Sequence, residues 1–425
     1  MPKTMTTENI KPESIKPETE AQLCEAIQWA LAEEATLDVF GAGSKRALGR
    51  PVSAQHRLDL SAFTGITLYQ PEELVMTVKA ATPLAEIEAT LAEHNQQLAF
   101  EPVDYGALLN GSQFGGTIGG VIACNLSGPR RVKVGAARDH LLGFHAVSGR
   151  GEIFKSGGQV VKNVTGFDLS KLMAGSFGTL ALIMDVSLKV LPVAEKTRTV
   201  LVMDAGGADD GEAIKAMTAA LHSAYEISAA AHLPRTISAR STVSYVSQAG
   251  QAVTAIRVEG VAPSVESRCA ALKTLLKPFG AIEELHTANS TAFWREVRDV
   301  SFFTGSDDQE KQLWKLSVPP ASGAAVADRL RRDLADDIYD DIYYDWGGGL
   351  IWLAINACED AAQKTVRDAL VEGGHATLIR AQKTVRARVD VFQPQPGPLA
   401  ALSARVKEAF DPKGILNPGR MVAGV

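Results

Sequence analysis

Cysteine is scarce in this 425-residue chain. Only Cys24, Cys124, Cys269 and Cys358 occur, and no two stand close enough for a Cys-x-x-Cys pair. The chain alone therefore cannot ligate an iron–sulfur cluster or a cysteine-rich zinc ion. Thiols this sparse suit a reducing cytoplasm better than a disulfide framework. Long apolar runs are missing too: no stretch approaches the roughly 18 residues of a membrane span. The polar opening MPKTMTTENIKPESIKPETE has no apolar segment of the kind a signal peptide needs. A cytoplasmic protein is expected, at most peripheral at the inner membrane face through partners. Positive charge is also lacking: the formal charge is −6 and no Lys/Arg run forms a basic stripe, which argues against nucleic acid as a partner. The eight histidines form no His-x-His or His-x-x-x-His pair, so no metal site is expected.

What is present fits a soluble globular protein. Apolar residues make up 46% and charged residues 22%, and the length suits two domains. Residues 1–17 carry three prolines among polar residues and read as a flexible arm. Helices are expected over 18–34 and 83–94, with strands at 37–40, 58–60 and 74–80. Then the composition shifts: 16 of the 37 glycines fall between Gly106 and Gly178. Strands at 159–162 and 180–190 close this region. From about 195 to 390 alanine rises and β and α segments alternate. A proline-rich connector and a helix over 399–410 precede the tail Asp411–Arg420.

Three glycine segments stand out. In Gly41-Ala42-Gly43-Ser44-Lys45-Arg46 a strand runs into a small-residue turn. Successive N–H groups there can converge on an anion such as a diphosphate, and Lys45 and Arg46 add positive charge; an ordinary turn remains the plain alternative. The segment is no Walker loop. Position 46 is Arg, so it also breaks the Gly-x-Gly-x-x-Gly fingerprint. The second segment runs Gly115-Gly116-Thr117-Ile118-Gly119-Gly120 and on to Cys124-Asn125-Leu126-Ser127. Each glycine costs about 1 kcal/mol relative to alanine in regular structure. The expected return is backbone contact with a large flat ligand. In the third segment, Lys162–Ala181, a short helix over 168–173 lies between two glycine turns, with Thr165 or Asp168 as its cap.

In this order and spacing the three segments resemble the FAD-binding domain of the vanillyl-alcohol-oxidase (PCMH-type) flavoproteins. The tail Asp411-Pro-Lys-Gly-Ile-Leu-Asn-Pro-Gly-Arg420 resembles that of their D-2-hydroxy-acid oxidase branch. Trp314-Lys-Leu-Ser-Val-Pro319 and Asp345-Trp-Gly-Gly348 resemble the FAD-binding E-type subunits of bacterial glycolate oxidases. The implied fold class is α+β: a two-part PCMH-type FAD-binding domain (18–194), an α+β cap domain (195–390) and a C-terminal segment (391–425) closing on the FAD domain.

The resemblance also implies roles. Gly41, Gly43 and Ser44 would bind the pyrophosphate. Gly115, Gly116, Thr117, Gly119 and Gly120 would line the flavin and its phosphates. Asn125 and Ser127 would sit beside the isoalloxazine, while Gly178, Thr179 and Leu180 would receive the adenine end by main-chain contacts and Asn417 would close the site. No His stands just after the first loop, which continues Ser44-Lys45, and the stretch shortly before Gly111 contains no Cys; these are the positions that tether FAD covalently in other members, so non-covalent FAD is expected.

Oxidising a 2-hydroxy acid also needs a cation for the carboxylate and a base for the hydroxyl proton. The His-rich cap of catalytic relatives is missing: Tyr343-Tyr-Asp-Trp346-Gly-Gly-Gly349 stands in its place. His375 is the least unsuitable base and Arg380, Arg386 or Arg388 the candidate clamps, although each type is more often structural. The expected role is an FAD subunit that carries electrons from the oxidation of glycolate to glyoxylate toward an iron–sulfur subunit, beside a paralogous FAD subunit. The alternatives are a self-sufficient D-2-hydroxy-acid dehydrogenase with its own cap site, and a scaffold that has lost FAD.

Overall fold

The computed structural model describes residues 14–110, 116–158, 167–205 and 210–424. The expected strand at 159–162 and the candidate Gly115 lie outside the described residues. Among the described residues the N-terminal half holds two main sheets and a two-stranded pairing of Gln96–Gln97 with Leu191–Pro192. A small parallel sheet orders Ser14–Ile15, His56–Asp59 and Leu37–Phe40. Thus the last residues of the expected flexible arm are paired to a strand. The helix Glu20–Ala32 is capped by the Thr19 hydroxyl, which accepts from Gln22 N–H, and buries Leu23, Ala26, Ile27 and Ala30. The second sheet is antiparallel: Ile66–Gln70, Val75–Lys79, Ala181–Lys189, Leu141–Ser148 and Ile153–Gly157 in spatial order. Asp168 caps the short helix Leu169–Met173 by accepting from Lys171 N–H; the other expected cap, Thr165, lies outside the described residues.

The C-terminal half is dominated by an eight-stranded antiparallel sheet. Its spatial order is Ala281–Leu285, Lys196–Met203, Val253–Gly260, Ala229–Leu233, Tyr339–Asp345, Leu350–Ile355, Gln312–Ser317 and His375–Arg380. The strand Leu350–Ile355 is apolar throughout because both its faces are buried. Leu350, Trp352 and Ala354 join one core with the N-terminal half, containing Phe100, Tyr105 and Ile118. Ile351, Leu353 and Ile355 join the core beneath the helices on the other side. The period-2 alternation thus decides which residues look toward the glycine-rich half.

The tail closes the molecule. After the helix Gly397–Phe410, Leu37 N–H donates to the Ile415 carbonyl (2.8 Å) and Asn417 N–H to the Leu37 carbonyl (2.9 Å). The tail thereby continues the small sheet alongside Leu37–Phe40, and Ile415 and Leu416 are buried in its core.

Candidate flavin site

A cleft of about 810 Å³ opens between the first glycine turn, the second glycine segment and the tail. The strand Leu37–Phe40 delivers Gly41, Gly43 and Ser44 to its rim, and Gly178 and Asn417 close the other side. The second segment starts the helix Ile118–Cys124, whose N-cap Thr117 accepts from Gly120 N–H at 3.4 Å. Two glycines there serve different needs. Gly116 has φ +67°, and a Cβ on it would meet Lys45 Nζ and Ser44 Oγ at 2.5 Å. Gly119 donates to the Ala80 carbonyl at 2.7 Å, and a Cβ there would meet Ala80 Cβ and O at 2.7 Å. Its smallness therefore also lets this helix lie directly on the neighbouring backbone. Gly120 is different: its nearest side-chain neighbours would be Lys45 Cδ and Thr117 Oγ1, both at 3.5 Å.

Asn417 holds the cleft shut through three hydrogen bonds. Its Oδ1 accepts from Val39 N–H (2.8 Å), and its Nδ2 donates to the Phe177 and Gly178 carbonyls (3.1 Å each). Behind it, Lys407 Nζ donates to the Thr179 and Leu416 carbonyls and to Asp411.

The charges of the cleft are unevenly matched. Arg46 pairs with Asp38. Lys45 and Arg420 are 8% and 7% exposed. Among the described residues neither forms an ion pair. Lys45 Nζ donates to Ser44 Oγ at 3.3 Å and Arg420 Nη2 to the Lys45 carbonyl at 2.9 Å; Arg420 Nε has no partner among the described residues. Burial pulls the pKa of both side chains down. The Cys124 thiol lines the same wall, and burial raises its pKa and keeps it neutral.

A backbone-lined cleft with two buried cations that form no ion pair among the described residues fits a large ligand with an anionic centre. Residues 14–157 match the model of the FAD binding domain and residues 393–421 that of the C-terminal domain of FAD-linked oxidases. Glycolate oxidase subunit GlcE of Escherichia coli (strain K12) is 34% identical over 94% of this chain and 97% of its own. The chain belongs to the FAD-linked oxidase family. It is an FAD-dependent oxidoreductase, and FAD is its cofactor. Glycolate oxidase subunit GlcD of Bacillus subtilis (strain 168) is 25% identical over 72% of this chain and 68% of its own. The fold is that of p-cresol methylhydroxylase, whose substrate-bound structure matches with a TM-score of 0.68 at 14% identity, over 96% of this chain and 88% of that one. The PCMH-type α+β class expected from the glycine segments is thereby borne out.

Of the candidate residues, Gly41, Gly43, Ser44, Thr117, Gly119, Gly120, Gly178 and Asn417 meet at the cleft, and Gly116 backs Lys45. Four others are occupied elsewhere. Asn125 takes the left-handed conformation that ends the helix and accepts from Arg138 N–H. Ser127 accepts from Ala137 N–H at 2.8 Å. Thr179 donates to the Ser176 carbonyl, and Leu180 is buried in the core. Arg380 does not reach the cleft: it donates to the Lys311, Phe303 and Leu108 carbonyls and pins the cap. Arg386 is similarly tied to the Gly49 carbonyl at 2.8 Å. Sequence reasoning missed Arg420, which was quoted only as part of the tail motif. Its position 375 residues from Lys45 left no local signal.

A second group of cations sits on the sheet face that looks toward the glycine-rich half. Arg131 and Lys315 stack on the Trp346 ring at 4.4 and 5.0 Å. Burial and Arg131 lower the Lys315 ammonium to about 8, while burial pushes the Asp345 carboxyl up to about 7. His375 begins the edge strand opposite Ser317; burial, Lys315 and Arg131 lower its pKa.

Proposed function

We propose that this chain is the FAD-bearing subunit of a 2-hydroxy-acid oxidase of the glycolate oxidase kind. In this reading it acts on a CH–OH group as part of a complex and relays electrons toward an iron–sulfur subunit. The full-length similarity to GlcE carries the reading, and the similarity to GlcD supports a paralogous flavin partner. Bound FAD supplies a two-electron acceptor. This chain's residues hold it: the Gly41–Ser44 turn takes the diphosphate, Gly116–Gly120 press the backbone against the cofactor, and Asn417 fastens the tail over it. The cofactor is held without a covalent bond, since no His stands just after the first glycine loop and no Cys shortly before Gly111. FAD staying with the acid-precipitated protein would refute that point.

No His, Asp or Glu lines the cleft among the described residues, and Asp345 and Trp346 stand where catalytic relatives of this branch carry histidines. Substrate oxidation is therefore assigned mainly to the paralogous subunit. One observation favours a second reading in which this chain has its own site. Arg131 and Lys315 form no ion pair among the described residues, and such a cation pair suits a substrate carboxylate. Purified chain loaded with FAD and mixed with glycolate and a dye separates the two. Slow or absent dye reduction, restored by the partner subunits, is expected; rates equal to those of the complex would overturn the division of labour.

A further inference from the structure

The cations of the cleft carry an inference beyond the glycine turn. Lys45 and Arg420 come from opposite ends of the chain and are both more than nine-tenths buried at one wall. Arg420 Nη2 bonds the Lys45 carbonyl, which brings the two residues together. Among the described residues no carboxylate pairs with either one, and residues 111–115, Gly-Ser-Gln-Phe-Gly, contain no acid. Asp38, whose charge acts on Arg420, is paired with Arg46, and Asp104, whose charge acts on Lys45, forms no ion pair with it. The other buried arginines are matched in two ways: Arg257 is paired with Glu101 and Glu259, and Arg380 and Arg386 are held by backbone carbonyls. Arg420 donates to the Lys45 carbonyl, and its buried Nε has no partner among the described residues.

Burying like charges together without a counter-ion is costly unless a ligand provides one. We propose that Lys45 and Arg420 form a two-pronged clamp on the diphosphate of the cofactor, so that the C-terminal tail is itself part of the anion site. Gly116 makes this possible, because a side chain there would occupy the space of the Lys45 ammonium. Arginine suits the role because its flat guanidinium can give two donors to one phosphate. The clamp also ties tail closure to cofactor binding: the tail brings Arg420 to the cleft while Arg50 N–H holds the Arg420 carbonyl at 2.9 Å. A reduced, anionic isoalloxazine is the other negative charge that these cations could serve, and the test separates the two.

The proposal rests on the reading of the cleft as the FAD site. The full-length protein is stripped of FAD, and binding of FAD, ADP and adenosine is measured by calorimetry at low and high salt. The measurements are repeated for Arg420→Met, Arg420→Lys and Lys45→Met. Far-ultraviolet circular dichroism and thermal melts of each apoprotein confirm folding. The expected result is a loss of ten- to a hundredfold in FAD and ADP affinity for each methionine variant. Salt dependence should become shallower, adenosine binding should be unchanged, and Arg420→Lys should recover part of the loss. The flavin midpoint potential should stay where it is. Unchanged ADP binding in folded variants overturns the clamp. So does a shifted midpoint potential with intact ADP affinity, which would assign the cations to the isoalloxazine. Failure of the wild-type chain to bind FAD would instead sink the reading of the cleft.

Discussion

Two buried clusters of charge invite comparison, the cofactor cleft and the seam between the glycine-rich half and the large sheet. At the seam, Arg257 is 2% exposed and is bonded to Glu101 at 2.8 and 3.0 Å. Arg130 grips Glu259 through two bonds of 2.9 Å and also approaches Glu101. The four charges balance, and Ser228 accepts from Arg257 Nε. Such a network fixes how two bodies meet. The cleft has the same chemistry left incomplete: Lys45 and Arg420 are equally buried but face an opening. Burial of charge therefore does not by itself mark function. Nor does a missing ion pair alone, since Arg380 and Arg386 are buried on backbone carbonyls; Lys45 and Arg420 stand apart because they share the wall of an open cleft.

Breaking the seam should give the largest effect. Arg257→Met leaves Glu101 and Glu259 sharing Arg130 alone and should cost about 3–5 kcal/mol of stability, measured as a lower urea midpoint. Cofactor affinity should be kept below the transition. A variant that unfolds normally but loses FAD would show that the seam also shapes the cleft.

Asp345, beside the seam, should give the next effect and fix its sign with pH. Its folded pKa is raised to about 7, chiefly by burial, with Glu101 raising and Arg257 and Lys315 lowering it. The folded state then binds more protons than the unfolded one between about pH 4 and 7. The stability that this group contributes is complete below pH 4 and lost as pH rises through 7. Asp345→Asn keeps an acceptor for Trp346 N–H and removes that loss. The variant should exceed the parent by on the order of 3 kcal/mol above pH 7 and match it at pH 4. Equal stability at pH 8 would mean that the carboxylate is accommodated in its charged form.

The glycines sharpen the contrast on the cleft side. Gly119→Ala drives a methyl group into the Ala80 backbone and should cost about 1–3 kcal/mol, visible in thermal melts. Gly120→Ala meets neighbours only at ordinary contact distance. It should leave the melt of the apoprotein nearly unchanged and weaken FAD binding. If both behave alike, the assignment of one glycine to packing and the other to the ligand is wrong.

The tail should respond least in stability. Asn417→Ala removes three hydrogen bonds from a residue in the left-handed region at φ +44°. A cost of about 1–2 kcal/mol is expected, together with faster proteolysis after Lys413 that FAD suppresses. Proteolysis insensitive to FAD would separate tail closure from the cofactor.

Much of this was legible in the sequence because the signals are local. Strand Leu37–Phe40, the helix from Glu20 and the cap at Asp168 follow from periodicity and capping chemistry. The glycine loops named most of the cleft wall, since dense small residues mark close backbone approach wherever they fold. The side chains of Asn125, Ser127, Thr179 and Leu180 bond or pack away from the cleft, because a motif does not encode side-chain direction; the main-chain contacts expected of Thr179 and Leu180 do not depend on where those side chains point. Arg380 looked like a free clamp only because the carbonyls that absorb it come from Phe303, Leu108 and Lys311.

The sequence by itself determined the glycine cradle, the α+β class, and the want of cysteine and histidine pairs for metal chemistry. Those depend on residue type and short spacing. Only the tertiary structure decided which cations are neutralised and which are left for a ligand. Lys45 meets Arg420 across 375 positions, and Glu101 meets Arg257 across 156. The energy of a buried charge depends on what surrounds it in space, and that is settled only when the tail and the large sheet have closed on the glycine-rich half.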